Sequence, residues 1–119
     1  MKLPGPDHPI SIEPHAGRVT VTLNGQTIAD TTRALVLREA SYAPVFYIPR
    51  ADIDAASLTR TAHASHCPYK GDASYFTVSA GERTSENAAW SYETPFPAMA
   101  AIAGCLAFYP TRVDAITVQ

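Results

Sequence analysis

In RVTVTL, residues 18–23, Val19, Val21 and Leu23 alternate with Arg18, Thr20 and Thr22, the period-two pattern of a half-buried strand. Asn24-Gly25 tolerates positive φ at two successive positions, so QTIAD, residues 26–30, returns as the hairpin partner. ALVLRE, residues 34–39, alternates again: Leu35, Leu37 and Glu39 share one face, Val36 and Arg38 the other, which carries a carboxylate inward at the strand end. VFYIP is a fourth strand, ended by Pro49, which has no N–H to give the ladder. SYFTVSA (74–80) and AAWSY (88–92) read as antiparallel partners joined through GERTSEN, residues 81–87, as the turn. CLAFYP supplies a further strand, and ITV, residues 116–118, a last one.

Helical pattern is confined to two short runs. ADIDAASL (51–58) suits one or two turns capped by Asp52 or Asp54, and PAMAAIAGC (97–105) fits between Pro97 and Gly104. Pro4, Pro6, Pro9 and Pro14 make residues 1–16 an extended, irregular lead-in to a body spanning 17–119. The pattern predicts a compact, mainly-β single domain of two antiparallel sheets, sandwich or tent-like, with one or two short helices.

The length, 119 residues, fits one domain with its own core, and 46% hydrophobic with 17% charged residues is a globular composition. A net charge of −2, with basic residues scattered singly, provides neither the basic patch that nucleic acid demands nor one for an acidic membrane. The lead-in lacks the apolar run of a signal peptide, and no stretch is long enough to cross a bilayer; a cytoplasmic protein is expected. Cys67 and Cys105 are then free thiols, and the chain is a monomer or a homodimer.

Chemistry concentrates in SHCPYKGDASYF, residues 65–76. Pro68 forces Cys67 into an extended conformation and Gly71 permits positive φ, so residues 67–71 form a sharp turn feeding a strand. His66, Lys70 and, four residues before Cys67, His63 are cations or imidazoles of the kind that activate a thiol; a small, buried, inert cysteine is the competing reading. His63-x-x-His66-Cys67 also has metal-ligand types, but adjacent side chains diverge on extended backbone and no CxxC pair accompanies them, so no metal or other cofactor is expected. Glu39 must be paired, and Lys70, Arg33 and Arg50 are its candidate partners. Asp52 and Asp54 match the paired aspartates of nucleotidyl transferases in type, yet helix capping explains them with fewer assumptions. Tyr42, Tyr47, Tyr69, Tyr75, Trp90, Tyr92 and Tyr109 are either core with wet hydroxyls or the walls of an apolar pocket.

Several of these segments occur in one order: Ile28-Ala29-Asp30, Tyr47-Ile48-Pro49-Arg50-x-Asp52, His66 to Tyr75, Ala89-Trp90-Ser91-Tyr92 and Phe108-Tyr109-Pro110. From about Gly17 onward the chain resembles domain-of-unknown-function family 427, and its Cys-Pro-Tyr-Lys-Gly run is the most specific part of that resemblance. The resemblance implies a compact mainly-β domain. The family also bears a nucleotidyl-transferase label, but its pattern matches Asp52 without requiring Asp54, so paired-aspartate chemistry does not carry over. Glu39, Tyr47, Arg50, Cys67, Lys70, Trp90 and Tyr92 fall in its motif segments.

Three functions follow as expectations. The first is a small-molecule site walled by Tyr47, Tyr69, Trp90 and Tyr92, floored by residues 67–71, with Lys70 or Arg50 holding an anionic or carbonyl group and Glu39 orienting the cation. The second is an enzyme with Cys67 as nucleophile, His66 or His63 as base and Lys70 receiving negative charge. The third is a structural or protein-interaction role.

Overall fold

The computed structural model describes residues 1–119. Ten strands form three antiparallel sheets: β1 (Ile10–Pro14), β4 (Leu35–Glu39) and β5 (Val45–Tyr47) in the order β1-β4-β5; β2 (Val19–Leu23), β3 (Gln26–Thr31) and β10 (Ala115–Val118) in the order β10-β2-β3; and β6 (Leu58–Cys67), β7 (Gly71–Ala80), β8 (Arg83–Ser91) and β9 (Leu106–Phe108) in chain order. The domain is mainly β, as the alternation predicts, with three sheets in place of two. The extra sheet exists because β1 comes out of the proline-rich lead-in: Ile10 and Ile12 pack inward, and Pro14 is tolerated because β1 is an edge strand.

The Asn24-Gly25 hairpin forms with φ of 52° and 74°, the doubly left-handed turn that this dipeptide favours. Two other segments depart from the sequence pattern. The β7–β8 turn is only Gly81-Glu82, and the polar run Thr84 to Asn87 continues as strand with its side chains largely toward solvent. β6 carries no apolar alternation because it is the exposed edge of its sheet. The expected helices are 3₁₀ turns, at Arg50–Asp52, Ala55–Ser57 and Pro97–Ile102. Asp54 caps the second, accepting from Ala56 N–H.

β7 explains how two cores coexist. Along its first half Ala73 and Tyr75 are buried on one face; along its second half Phe76, Val78 and Ala80 are buried on the other. The β2–β3 hairpin covers the second face with Val19, Val21, Leu23 and Ile28. On the first face, Leu37 and Tyr47 of the β1-β4-β5 sheet meet Tyr75, Tyr92, Met99 and Ile102. Backbone hydrogen bonds between Ile48 and Leu106, 2.8 and 2.9 Å, lock β5 against β9 and fix the two sheets beside each other.

Candidate functional site

A cleft of about 260 Å³ opens on that first face. Cross-strand pairing sets Tyr75 of β7 beside Trp90 of β8 and Trp90 beside Ala107 of β9, so two aromatic rings stand side by side on one face. Opposite them, β4 directs Leu37 and Glu39 inward, as its alternation predicts, and β5 contributes Val45 and Tyr47. Tyr92 and Tyr109 extend the wall; the Tyr109 ring lies 4.5 Å from that of Trp90, and Trp90 Nε1–H donates to the Tyr47 hydroxyl at 3.3 Å.

Lys70 closes one end. The Cys67–Gly71 turn joins β6 to β7, with Cys67 directly opposite Gly71, and Gly71 takes a φ of 111° that disfavours any side chain. This turn aims Lys70 back along the sheet, leaving its side chain only 9% exposed and hydrogen-bonded to Glu39 Oε1. The other carboxylate oxygen pairs with His8 Nε2 at 2.7 Å, and the His8 ring stacks 4.1 Å from Tyr69. Burial pushes the Glu39 carboxyl up, but hydrogen bonds and charge from Lys70 and His8 outweigh it and hold the group below its ordinary value.

Burial also raises the phenols of Tyr47 and Tyr92 far above the usual tyrosine range. Tyr109 is pushed up to about 12, first by burial and then by its hydrogen bond with Tyr75. These hydroxyls keep their protons at any physiological pH. They can orient a ligand as hydrogen-bond donors, but they are poor proton acceptors.

Of the residues singled out by sequence, Glu39, Tyr47, Lys70, Trp90 and Tyr92 all line this one cleft. Cys67 stands just behind it, partly buried, its Sγ 3.9 Å from Lys70 Nζ. Three others point elsewhere. His66 is exposed and pairs with Asp72 at 2.7 Å, because adjacent strand residues face opposite sides. Arg50 lies over the Phe76 ring on the opposite face of the sheet, 4.0 Å from Glu93. Tyr69 supports His8 without lining the cleft. His63 sits edge-on to Tyr75 at 4.4 Å, and Arg33 pairs with Asp52.

Asp52 and Asp54 do not act as a pair. Asp52 accepts from Thr31 and Arg33, which hold its carboxyl below the ordinary value, while Asp54 serves its cap and Ser57. No group of three or more His, Cys, Asp or Glu side chains is placed to hold a metal ion. His8 is the residue that sequence reasoning missed: it precedes Glu39 by 31 positions, and no local pattern links them. No helix is long and apolar enough to cross a membrane.

Comparison with curated proteins finds no match. A family model described as Domain of unknown function (DUF427) matches residues 11–119, which include every cleft-lining side chain, and the chain belongs to that family.

Proposed function

We propose that the protein binds a small molecule in the cleft between β4–β5 and β7–β8. The observation that supports this reading is the convergence of Glu39, Tyr47, Lys70, Trp90 and Tyr92, from four separate chain segments, on one concave, mostly apolar site with a few polar groups at its end. Packing alone does not call for a lysine and a glutamate there, since an apolar pair of similar volume would fill the same space with less desolvation. The cleft walls recognise an aromatic or aliphatic body, and Lys70 with the tyrosine hydroxyls recognises an oxygen acceptor on it.

A thermal-shift screen of small metabolites tests the reading. At least one class of compound is expected to raise the melting temperature of the wild type, with the shift reduced in Lys70→Ala and in Trp90→Ala. A screen in which nothing stabilises the wild type removes the support.

A second reading makes Cys67 a nucleophile, favoured by the 3.9 Å approach of Lys70 Nζ to its sulfur. It ranks behind because the imidazole next to it in sequence is engaged by Asp72 on the outer side of the strand.

A further inference from the structure

A second depression, of about 380 Å³, adjoins the cleft. It lies between β5 and β10, the terminal strands of the β1-β4-β5 and β10-β2-β3 sheets; β5 is held to β9 by the Ile48–Leu106 bridge, whereas the outer edge of β10 carries no partner strand. Phe46, Ile48, Phe108, Ile116 and Val118 give it a wholly apolar character; no charged residue and no hydroxyl lines it. Ala43, Val45 and Trp90 border both spaces, so the two adjoin at the Trp90 ring. Each volume sits near the lower end of the range for ligand sites, and the pair together lies well inside it.

Polarity divides sharply along this path. The cleft carries the Lys70–Glu39 pair and five phenols, those of Tyr42, Tyr47, Tyr75, Tyr92 and Tyr109. Tyr47 accepts from Trp90 and keeps its own hydroxyl proton to donate, and the Tyr92 hydroxyl is hydrogen-bonded to no group of the chain. The charges there are mutually compensated, Lys70 by Glu39 and Glu39 again by His8, so an anionic group entering beside Glu39 meets a carboxylate as well as an ammonium. An uncharged carbonyl or hydroxyl meets donors without that opposition.

Resting on the reading of the cleft as a ligand site, we infer that cleft and groove form one site for an amphipathic small molecule, its uncharged carbonyl- or hydroxyl-bearing head among Tyr47, Lys70 and Tyr92 and its aliphatic tail past Trp90 along the groove. Trp90, the chain's single tryptophan, stands where head and tail meet. It therefore reports on both.

The experiment titrates the protein with 1-monoacylglycerols of graded acyl length, from four to twelve carbons and each below its critical micelle concentration, and with carboxylates of the same lengths, following Trp90 emission. Affinity for the glycerides is expected to rise roughly two- to fourfold per methylene until the groove is filled and then to level off. Each carboxylate is expected to bind about tenfold more weakly than the glyceride of equal length. Val118→Asp, on an exposed strand edge where folding is not at risk, is expected to abolish the length dependence and leave the shortest probe's affinity unchanged.

Binding of short probes with no gain from length overturns the inference and leaves the cleft reading standing. Silence from every probe together with a blank metabolite screen overturns both. Length-dependent binding that Val118→Asp does not weaken places the tail elsewhere, and equal affinity for carboxylates removes the uncharged head. A dimer at micromolar concentration that Val118→Asp separates makes the groove a contact between two copies of this chain, which also overturns it.

Discussion

Lys70 donates a hydrogen bond to Glu39 across 31 residues of sequence, from the β6–β7 turn to the end of β4, with both side chains largely withdrawn from water. The pair ties the four-stranded sheet to the β1-β4-β5 sheet at the polar end of the cleft, and His8 on the second carboxylate oxygen extends it into the lead-in. Such a pair is costly to break from one side, because the survivor is left desolvated without its counter-charge. Lys70→Met is therefore expected to lower unfolding free energy by about 3 kcal/mol. The double variant Lys70→Met with Glu39→Leu is expected to recover most of that loss, as urea titrations of the single and double variants would show.

Acid stability should carry the signature of the same carboxylate. The folded-state value of Glu39 lies below the unfolded one, so its contribution is fully present above the ordinary carboxylate range and is lost as pH falls through the depressed folded value. Asp52 and Asp114 shift in the same direction, held by Arg33 and Thr31 in one case and by Asn24 N–H and Arg83 in the other. Melting temperature is expected to fall steeply below about pH 4.5, where unfolded carboxyls begin to take up protons. Glu39→Gln is expected to start lower at neutral pH and to fall less steeply, the two curves converging toward acid.

How much of this could be read from residues alone depended on the range of the interaction. Alternation placed Leu35, Leu37 and Glu39 on one face of β4, and the Asn24-Gly25 turn fixed its hairpin, because both are local rules. β6 escaped because an edge strand with solvent on most sides needs no apolar period. The lead-in escaped because four prolines mask the alternation of Ile10 and Ile12 in β1. In the cleft, residue type identified Glu39, Lys70, Tyr47, Trp90 and Tyr92, whereas His66 and Arg50 fell away for geometric reasons: one is on the outer side of its strand and the other on the far face of the sheet. His8 required the tertiary path of the lead-in, which returns along the 67–71 turn through the bond from Lys2 N–H to Pro68 O.

Gly71 tests how much the turn conformation matters to the placement of Lys70. A Cβ at this position would meet Phe96 N at 3.5 Å, an ordinary contact, so the space is adequate and the obstacle is the φ of 111°. Gly71→Ala is expected to cost more than about 1 kcal/mol, because its backbone region is closed to residues with a Cβ. Differential scanning calorimetry would register this as a lower melting temperature. Loss of the ligand response in excess of that destabilisation would show that the turn also sets the position of the lysine.

The two thiols differ enough to decide between binding and covalent chemistry. Cys105 is buried in the core on the cleft side of the sheet, with Tyr92, Met99 and Ile102, and burial raises its thiol, so it is expected to resist alkylation until the protein unfolds. Cys67 is only partly buried, and its neighbouring ammonium is already committed to Glu39, which weakens any help that Lys70 gives to a thiolate. Cys67 is therefore expected to react with iodoacetamide near neutral pH no faster than a free model thiol, giving one slow modification in the native protein and a second only in denaturant. Peptide mapping after timed quenching separates the two sites. A Cys67 that reacts faster than the model thiol, and slows when Lys70 is replaced by methionine, would move the nucleophile reading ahead of the binding one, since a thiol that only packs has no reason to respond to that substitution.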